Sequence, residues 1–293
     1  VSNQWKIVGA ALGEGAQIIG TKLGPDYCQN QQLVKTLEKN GFFLSWLCTM
    51  LTKPEKKPAL EIVQDFCERL AQKTAALIKQ GDHPLVIGGD HSVAIGTWSG
   101  VITALKAEQN FGLIWIDAHM DAHTFETTPS KAIHGMPVAT LLGHGDLNLT
   151  RLLSSQPKIS PKHLVLIGVR SYEPGEAKLL RDNAVKIFYM DDIKARGFDS
   201  IWQEALTYIQ SQVPYFGISI DLDGFDPSIA PGVGSPEVDG LMPAEVFKSI
   251  QGIALNPKCQ CVEIVEFNPE RDKNNATYRL ILQLIQTLFL KNM

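Results

Sequence analysis

Along this chain, short apolar runs alternate with longer stretches in which apolar residues return every three or four positions. The runs at 6–10, 85–88, 113–117, 164–168, 186–189, 217–221 and 262–267 predict strands, because most are rich in Val and Ile and too short for helices. Between them, Leu60, Val63, Phe66, Cys67, Leu70 and Leu77 make one helical stripe. Leu280, Ile281, Leu284, Ile285 and Leu288 make another near the C-terminus. Both stripes read as core. Strands alternating with helices predict an α/β fold, a mostly parallel central sheet covered by helices on both faces. Neither a repeat nor a linker interrupts the pattern, so residues 1–293 are expected to form a single domain. The stretch GFDPSIAPGVGSP at 224–236 reads as a long loop ordered by its own turn chemistry.

Composition narrows the function classes. With 44% hydrophobic and 20% charged residues, the chain can bury a sizeable core. A net charge of -4 without a basic patch excludes an electrostatic footprint for nucleic acid or an anionic membrane. Apolar runs fall short of the ~18 residues a membrane span needs, and the N-terminal stretch VSNQWKIVGA lacks the pattern of a signal peptide. The five cysteines are odd in number and include no CxxC pair, so reduced thiols in a cytoplasmic compartment are expected. Cys259 and Cys261, two apart on a predicted strand, are expected to share a face as structural residues. His83, His144 and His163 are expected to be surface or structural residues.

Four polar clusters each follow a predicted strand: IGGDHS at 87–92, DAHMDAH at 117–123, SIDLDGFDP at 219–227 and EIVEFNP at 263–269. Ligands in open α/β sheets bind along the carboxyl edge of the strands, so all four fall where a site belongs. If the backbone stays extended, Asp117, His119 and Asp121 share one face, and Asp221 and Asp223 repeat that geometry. Several carboxylates and imidazoles converging on one rim require positive charge, and no Lys or Arg lies in these motifs. A metal is the economical source. Oxygen donors with a few imidazoles suit Mn²⁺, with Fe²⁺, Co²⁺, Ni²⁺ and Zn²⁺ as alternatives. About six ligands with bridging carboxylates favour two ions roughly 3.5–4 Å apart, which points to metal-assisted hydrolysis.

At these residues the sequence resembles the arginase/agmatinase (ureohydrolase) family, and within it most closely the arginases. The match runs through GGDHSVAIG (88–96), DAHMDAHT (117–124), HGMP (134–137), IGVRSYEPGE (167–176), SIDLDGFDPSIAPGVGSPEVDGL (219–241) and EFNP (266–269). The resemblance implies a three-layer α/β/α fold with two Mn²⁺ per chain. His91, Asp117, Asp121 and Asp221 would hold one ion; His119, Asp117, Asp221 and Asp223 would hold the other. The implied reaction cleaves L-arginine to L-ornithine and urea by attack of a metal-bridging hydroxide, with agmatine or another guanidino compound as the alternative substrate and a non-catalytic metal-binding homologue as the remaining alternative. Asp121 would orient the nucleophile, His134 would shuttle a proton to the leaving amine, and Glu266 would hold the guanidinium. His123, Ser130, Glu173 and Glu176 would read the amino-acid end of the substrate, and Ser235 would help orient the network.

The loop HTFETTPSKAIHG (123–135) departs from the arginase pattern. Asparagine is expected at the position of His123, glycine at Lys131 and asparagine at Ala132. Glu173 stands where aspartate is usual. Lys131 would either supply a cation to the substrate carboxylate or point to solvent. The resemblance also implies a homo-oligomer, trimeric or hexameric.

Overall fold

The computed structural model describes residues 4–53 and 56–291. Its eight strands are β1 Trp5–Ala11, β2 Ser45–Leu51, β3 His83–Gly88, β4 Phe111–Ile116, β5 Leu164–Val169, β6 Lys186–Tyr189, β7 Tyr215–Asp221 and β8 Cys259–Val265. They form one sheet in the order β2-β1-β3-β8-β7-β4-β5-β6, with every neighbouring pair parallel.

Alternating strand residues feed two apolar layers. Ile114, Ile116, Ile218, Ile220, Val262 and Ile264 point to one face, where they meet the helices Phe198–Gln212, Pro243–Ile250 and Ala276–Phe289. Leu113, Trp115, Leu164 and Leu166 point to the other, against the helix Val93–Leu105. That helix packs in turn on Ala59–Gln80, whose buried Val63, Phe66, Cys67, Leu70 and Leu77 are the expected stripe. The two helices approach closely because Gly100 has no side chain; a Cβ there would sit 2.1 Å from the Ala71 carbonyl oxygen. The three-layer α/β/α architecture is the expected one.

Two expectations are corrected. The pattern predicts seven strands, and β2 is the eighth. It lies at the edge of the sheet, pairing only with β1, and its mixed sequence SWLCTML is partly exposed along its length. An edge strand does not need the continuous apolar run that marks the buried ones. Cys259 and Cys261 do not share a face: they belong to different apolar clusters on opposite sides of the sheet. Phe216 pairs with Cys259 and Gly217 with Cys261, so the extra residue Gln260 interrupts the alternation. All five cysteines are free thiols, and no described helix is long and apolar enough to cross a membrane.

Candidate active site

The four polar clusters follow β3, β8, β7 and β4, which are consecutive in the middle of the sheet. Parallel pairing puts their carboxyl ends side by side, so segments distant in sequence meet on one rim. Of the candidate ligands, only Asp221 lies in a strand, as the last residue of β7. β4 ends at Ile116 before Asp117, and Asp223 sits in the 3-10 turn Leu222–Gly224. Asp121 converges on the others through a left-handed backbone, φ 49°, and not by strand alternation. An Asp side chain able to bond locally tolerates that conformation better than most.

At the base of the site, Nδ1 of the fully buried His91 lies 3.2 Å from Asp117 Oδ2, 3.0 Å from Asp121 Oδ2 and 2.9 Å from Asp221 Oδ2. Beside it, His119 Nδ1 lies 3.5 Å from Asp117 Oδ1 and 3.3 Å from Asp223 Oδ2. The two oxygens of Asp117 therefore face the two imidazoles separately, as a bridging carboxylate requires. Asp221 directs Oδ2 to His91, while its Oδ1 accepts the Asp223 N–H at 2.8 Å.

The His91 tautomer explains what this geometry accommodates. His91 Nε2 is 2.9 Å from Ser219 Oγ, and that hydroxyl donates to Glu263 Oε1, also at 2.9 Å. With its proton used there, Ser219 accepts from Nε2–H, and the Nδ1 lone pair is left aimed at three carboxylates. Nδ1 has no hydrogen-bond partner in this buried place. Only positive charge reconciles a lone pair with three oxygens at such distances: a proton, or a cation coordinated by all four atoms. The titration behaviour reflects the same demand. Burial opposes the charge on His91, but Asp117, Asp121 and Asp221 raise its pKa well above the ordinary histidine value. Burial and the Asp117 charge push Asp121 up to about 6. These donors fit two divalent cations sharing Asp117.

Above this cluster, His134 Nδ1 pairs with Glu266 Oε1 at 2.9 Å. The same oxygen accepts the His91 N–H at 2.9 Å, whereas the buried Glu266 Oε2 has no hydrogen-bond partner. Burial works against the imidazolium, yet the Glu266 carboxylate prevails and pushes the His134 pKa up to about 9. Glu266 is also left-handed, φ 68°. The backbone of His134 is tied to a distant loop. Gly15 accepts hydrogen bonds from the N–H groups of Ile133 (2.7 Å) and His134 (3.1 Å), and it donates its own N–H to the buried Asp90 Oδ2 at 2.8 Å.

A cavity of about 230 Å³ opens over these groups. Its wall contains eleven of the thirteen residues singled out from the sequence: His119, Asp121, His123, Ser130, His134, Glu173, Glu176, Asp221, Asp223, Ser235 and Glu266. His91 and Asp117 lie buried beneath it. The lining includes no lysine or arginine, so the cavity favours a cationic guest. At its outer end, His123 Nε2 is 2.9 Å from Glu173 Oε2 and its Nδ1 is 3.1 Å from Thr127 Oγ1. Both ring nitrogens are thus engaged within the protein. Lys131 bonds the Phe125 carbonyl through Nζ and does not line the cavity. Glu173 caps the helix Pro174–Asp182, and Glu176 completes the capping box.

Several contributing residues escape sequence reasoning. Gln17 lines the cavity from the loop after β1, where no charged motif marks it. Glu237 Oε1 lies 3.7 Å from His119 Nε2. Arg170 clamps the 224–236 region by donating to the carbonyls of Asp223, Gly224, Glu237 and Val238. The arginine in IGVRSYEPGE carried that signal only as a motif letter.

Comparison with known proteins accounts for nearly the whole chain. Residues 3–291 match the family model described as arginase family. An arginase from Bacillus caldovelox is 36% identical over 292 residues, covering 97% of each chain. The crystal structure of arginase from Bacillus subtilis superposes with a TM-score of 0.91 at 35% identity, covering 99% of this chain and 100% of that one. An Entamoeba histolytica arginase solved with L-ornithine gives a TM-score of 0.87 at 28% identity over 99% of both chains.

Proposed function

This chain belongs to the arginase family, and from that premise we propose that it hydrolyses the guanidinium group of L-arginine to L-ornithine and urea. It is a metal-dependent hydrolase acting on guanidino compounds. The observation that carries the reading is the pairing of two imidazoles across Asp117 beneath an acidic cavity whose buried Glu266 Oε2 has no protein partner. His91, Asp117, Asp121 and Asp221 would hold one Mn²⁺, and His119, Asp117, Asp221 and Asp223 the other. Two such ions, when bound, lower the pKa of a shared water from ~15.7 toward neutrality and so supply the nucleophile.

The chain's own groups do the rest. Glu266 Oε2 accepts N–H bonds from the guanidinium and fixes its plane. Asp121, at the floor of the cavity, orients the attacking oxygen with a carboxylate hydrogen bond. The departing amine is a poor leaving group unless protonated, and His134 delivers that proton. Its pKa near 9 keeps the imidazole charged at neutral pH until a stronger base forms beside it. Ser130, Glu173 and Glu176 receive the amino-acid end, with His123 behind them and Ser235 orienting the network. Reduced thiols support a cytoplasmic location, and we expect a homo-oligomer, trimeric or hexameric, to be visible by light scattering.

Urea release from arginine and from agmatine, measured in parallel after loading with Mn²⁺, tests the proposal. Preference for arginine is expected. Preference for agmatine would retain the metal chemistry and reject the roles of Ser130 and Glu173. Turnover of neither, with two ions bound, would remove the catalytic reading.

A further inference from the structure

We propose that His123, Glu173 and Glu176 form a third cation site, at the outer end of the cleft, for a borderline ion of the zinc class. His123 Nε2 lies 2.9 Å from Glu173 Oε2 and 3.6 Å from Glu176 Oε1, and one atom from each residue falls within 4.8 Å of the others. A tetrahedral ion with bonds of about 2.0–2.1 Å separates its ligand atoms by about 3.3 Å. The two observed spacings bracket that value, and the Glu173 and Glu176 oxygens lie within 4.8 Å of each other.

The donors are held in place before any ion arrives. Glu176 is anchored at both oxygens, by the Glu173 N–H at 2.9 Å and the Ala122 N–H at 3.2 Å. Both it and His123 are buried. Thr127 Oγ1, 3.1 Å from His123 Nδ1, can accept the imidazole proton on that side. The Nε2 lone pair is then free for the ion, the outer hydrogen bond that ligating histidines make. Glu173 is half exposed and borders the cavity, which leaves a fourth position for water. Asparagine, expected at position 123 from the resemblance, offers no imidazole nitrogen; the site belongs to this chain's altered loop. The same oxygens that hold the ion would otherwise receive the substrate's ammonium group, so ion and substrate compete. That consequence rests on the proposed function, whereas binding of the ion does not.

The test titrates Zn²⁺ into the full chain kept in excess Mn²⁺, with bound metals counted by elemental mass spectrometry and affinity read by calorimetry. Wild type is expected to hold three ions per chain. His123→Asn and Glu173→Gln should each weaken the Zn²⁺ event by about tenfold or more, leaving two ions in place. Glu173→Gln alters a half-exposed side chain and guards against misfolding of the first variant. Two ions in wild type at every Zn²⁺ concentration would overturn the site, as would a third ion that binds equally well to both variants. Zn²⁺ should also raise the apparent KM for arginine in wild type and leave that of His123→Asn unchanged. A third ion lost in both variants but without effect on KM supports the site and rejects instead the placement of the substrate's amino group at Glu173.

Discussion

Gly15→Ala probes how His134, the proposed proton donor, is held, from a position outside the cavity. A Cβ on Gly15 would lie 2.4 Å from Ser92 Oγ and 2.7 Å from Asp90 Oδ1. Close carbon–oxygen contacts need about 3.3 Å, so the shortfall is roughly 0.6–0.9 Å. Neither obstacle yields easily: Asp90 is fully buried and accepts the Ser92 N–H at 3.0 Å. The loop must therefore withdraw, and the Gly15 carbonyl that receives the N–H groups of Ile133 and His134 withdraws with it. Overpacking of this kind costs about 1–3 kcal/mol of stability. A displacement of about 1 Å in a catalytic group costs about 100-fold in rate. Urea release should thus fall by about two orders of magnitude in kcat, with metal content close to wild type, since the atoms nearest the added Cβ belong to Ser92 and Asp90 and not to a proposed cation donor. The melting temperature should drop by a few degrees. An unchanged kcat in a variant with lowered melting temperature would refute the coupling between this loop and His134.

Other perturbations isolate other parts of the site. Asp121→Ala or His119→Ala should abolish urea release and lower metal occupancy, and full turnover by either would reject the ligand assignment. Ser219→Ala removes the group that orients His91 (2.9 Å); metal affinity should weaken roughly 10–100-fold, read by chelator competition. His134 has a folded pKa raised to about 9 from 6.5, so its pairing with Glu266 stabilises the fold fully below pH 6.5 and is lost as pH rises through 9. His134→Asn should accordingly flatten the fall of melting temperature across that window, and an identical slope in the variant would contradict the pairing. Lys158, almost wholly buried, donates to the carbonyls of Thr150, Ser154 and Gln156 at 3.0–3.1 Å. Lys158→Met orphans those acceptors and should cost about 1–3 kcal/mol in denaturant unfolding.

The central strands were legible because burial on both faces forces continuous apolar runs, and the donor clusters because carboxylates and imidazoles are rare at such ends. β2 was not legible, since an edge strand carries no such run. The offset between Cys259 and Cys261 was invisible because a single extra residue, Gln260, is decided by pairing with β7 and not by local pattern. Alternation misplaces the route by which Asp121 reaches His91 for a related reason: it assumes an extended backbone, and the chain turns left-handed instead. Gly15, Asp90 and Ser219 act through hydrogen bonds between segments up to 128 residues apart, and no periodicity records those.

The left-handed backbones at Asp121 and Glu266 bear on how descendants of this chain would diverge. Each conformation disfavours a residue with a Cβ by roughly 1–2 kcal/mol relative to glycine. While turnover is under selection, the carboxylates outweigh that penalty. In a lineage that keeps the fold but no longer needs the reaction, glycine at 121 becomes a stabilising substitution, and mutation should drift toward it; at 266 the loss of the hydrogen bonds to His134 and the His91 N–H opposes the same change. Glycine at position 121 is thus a marker of lost catalysis that can be read from a relative's sequence, even where its histidines survive.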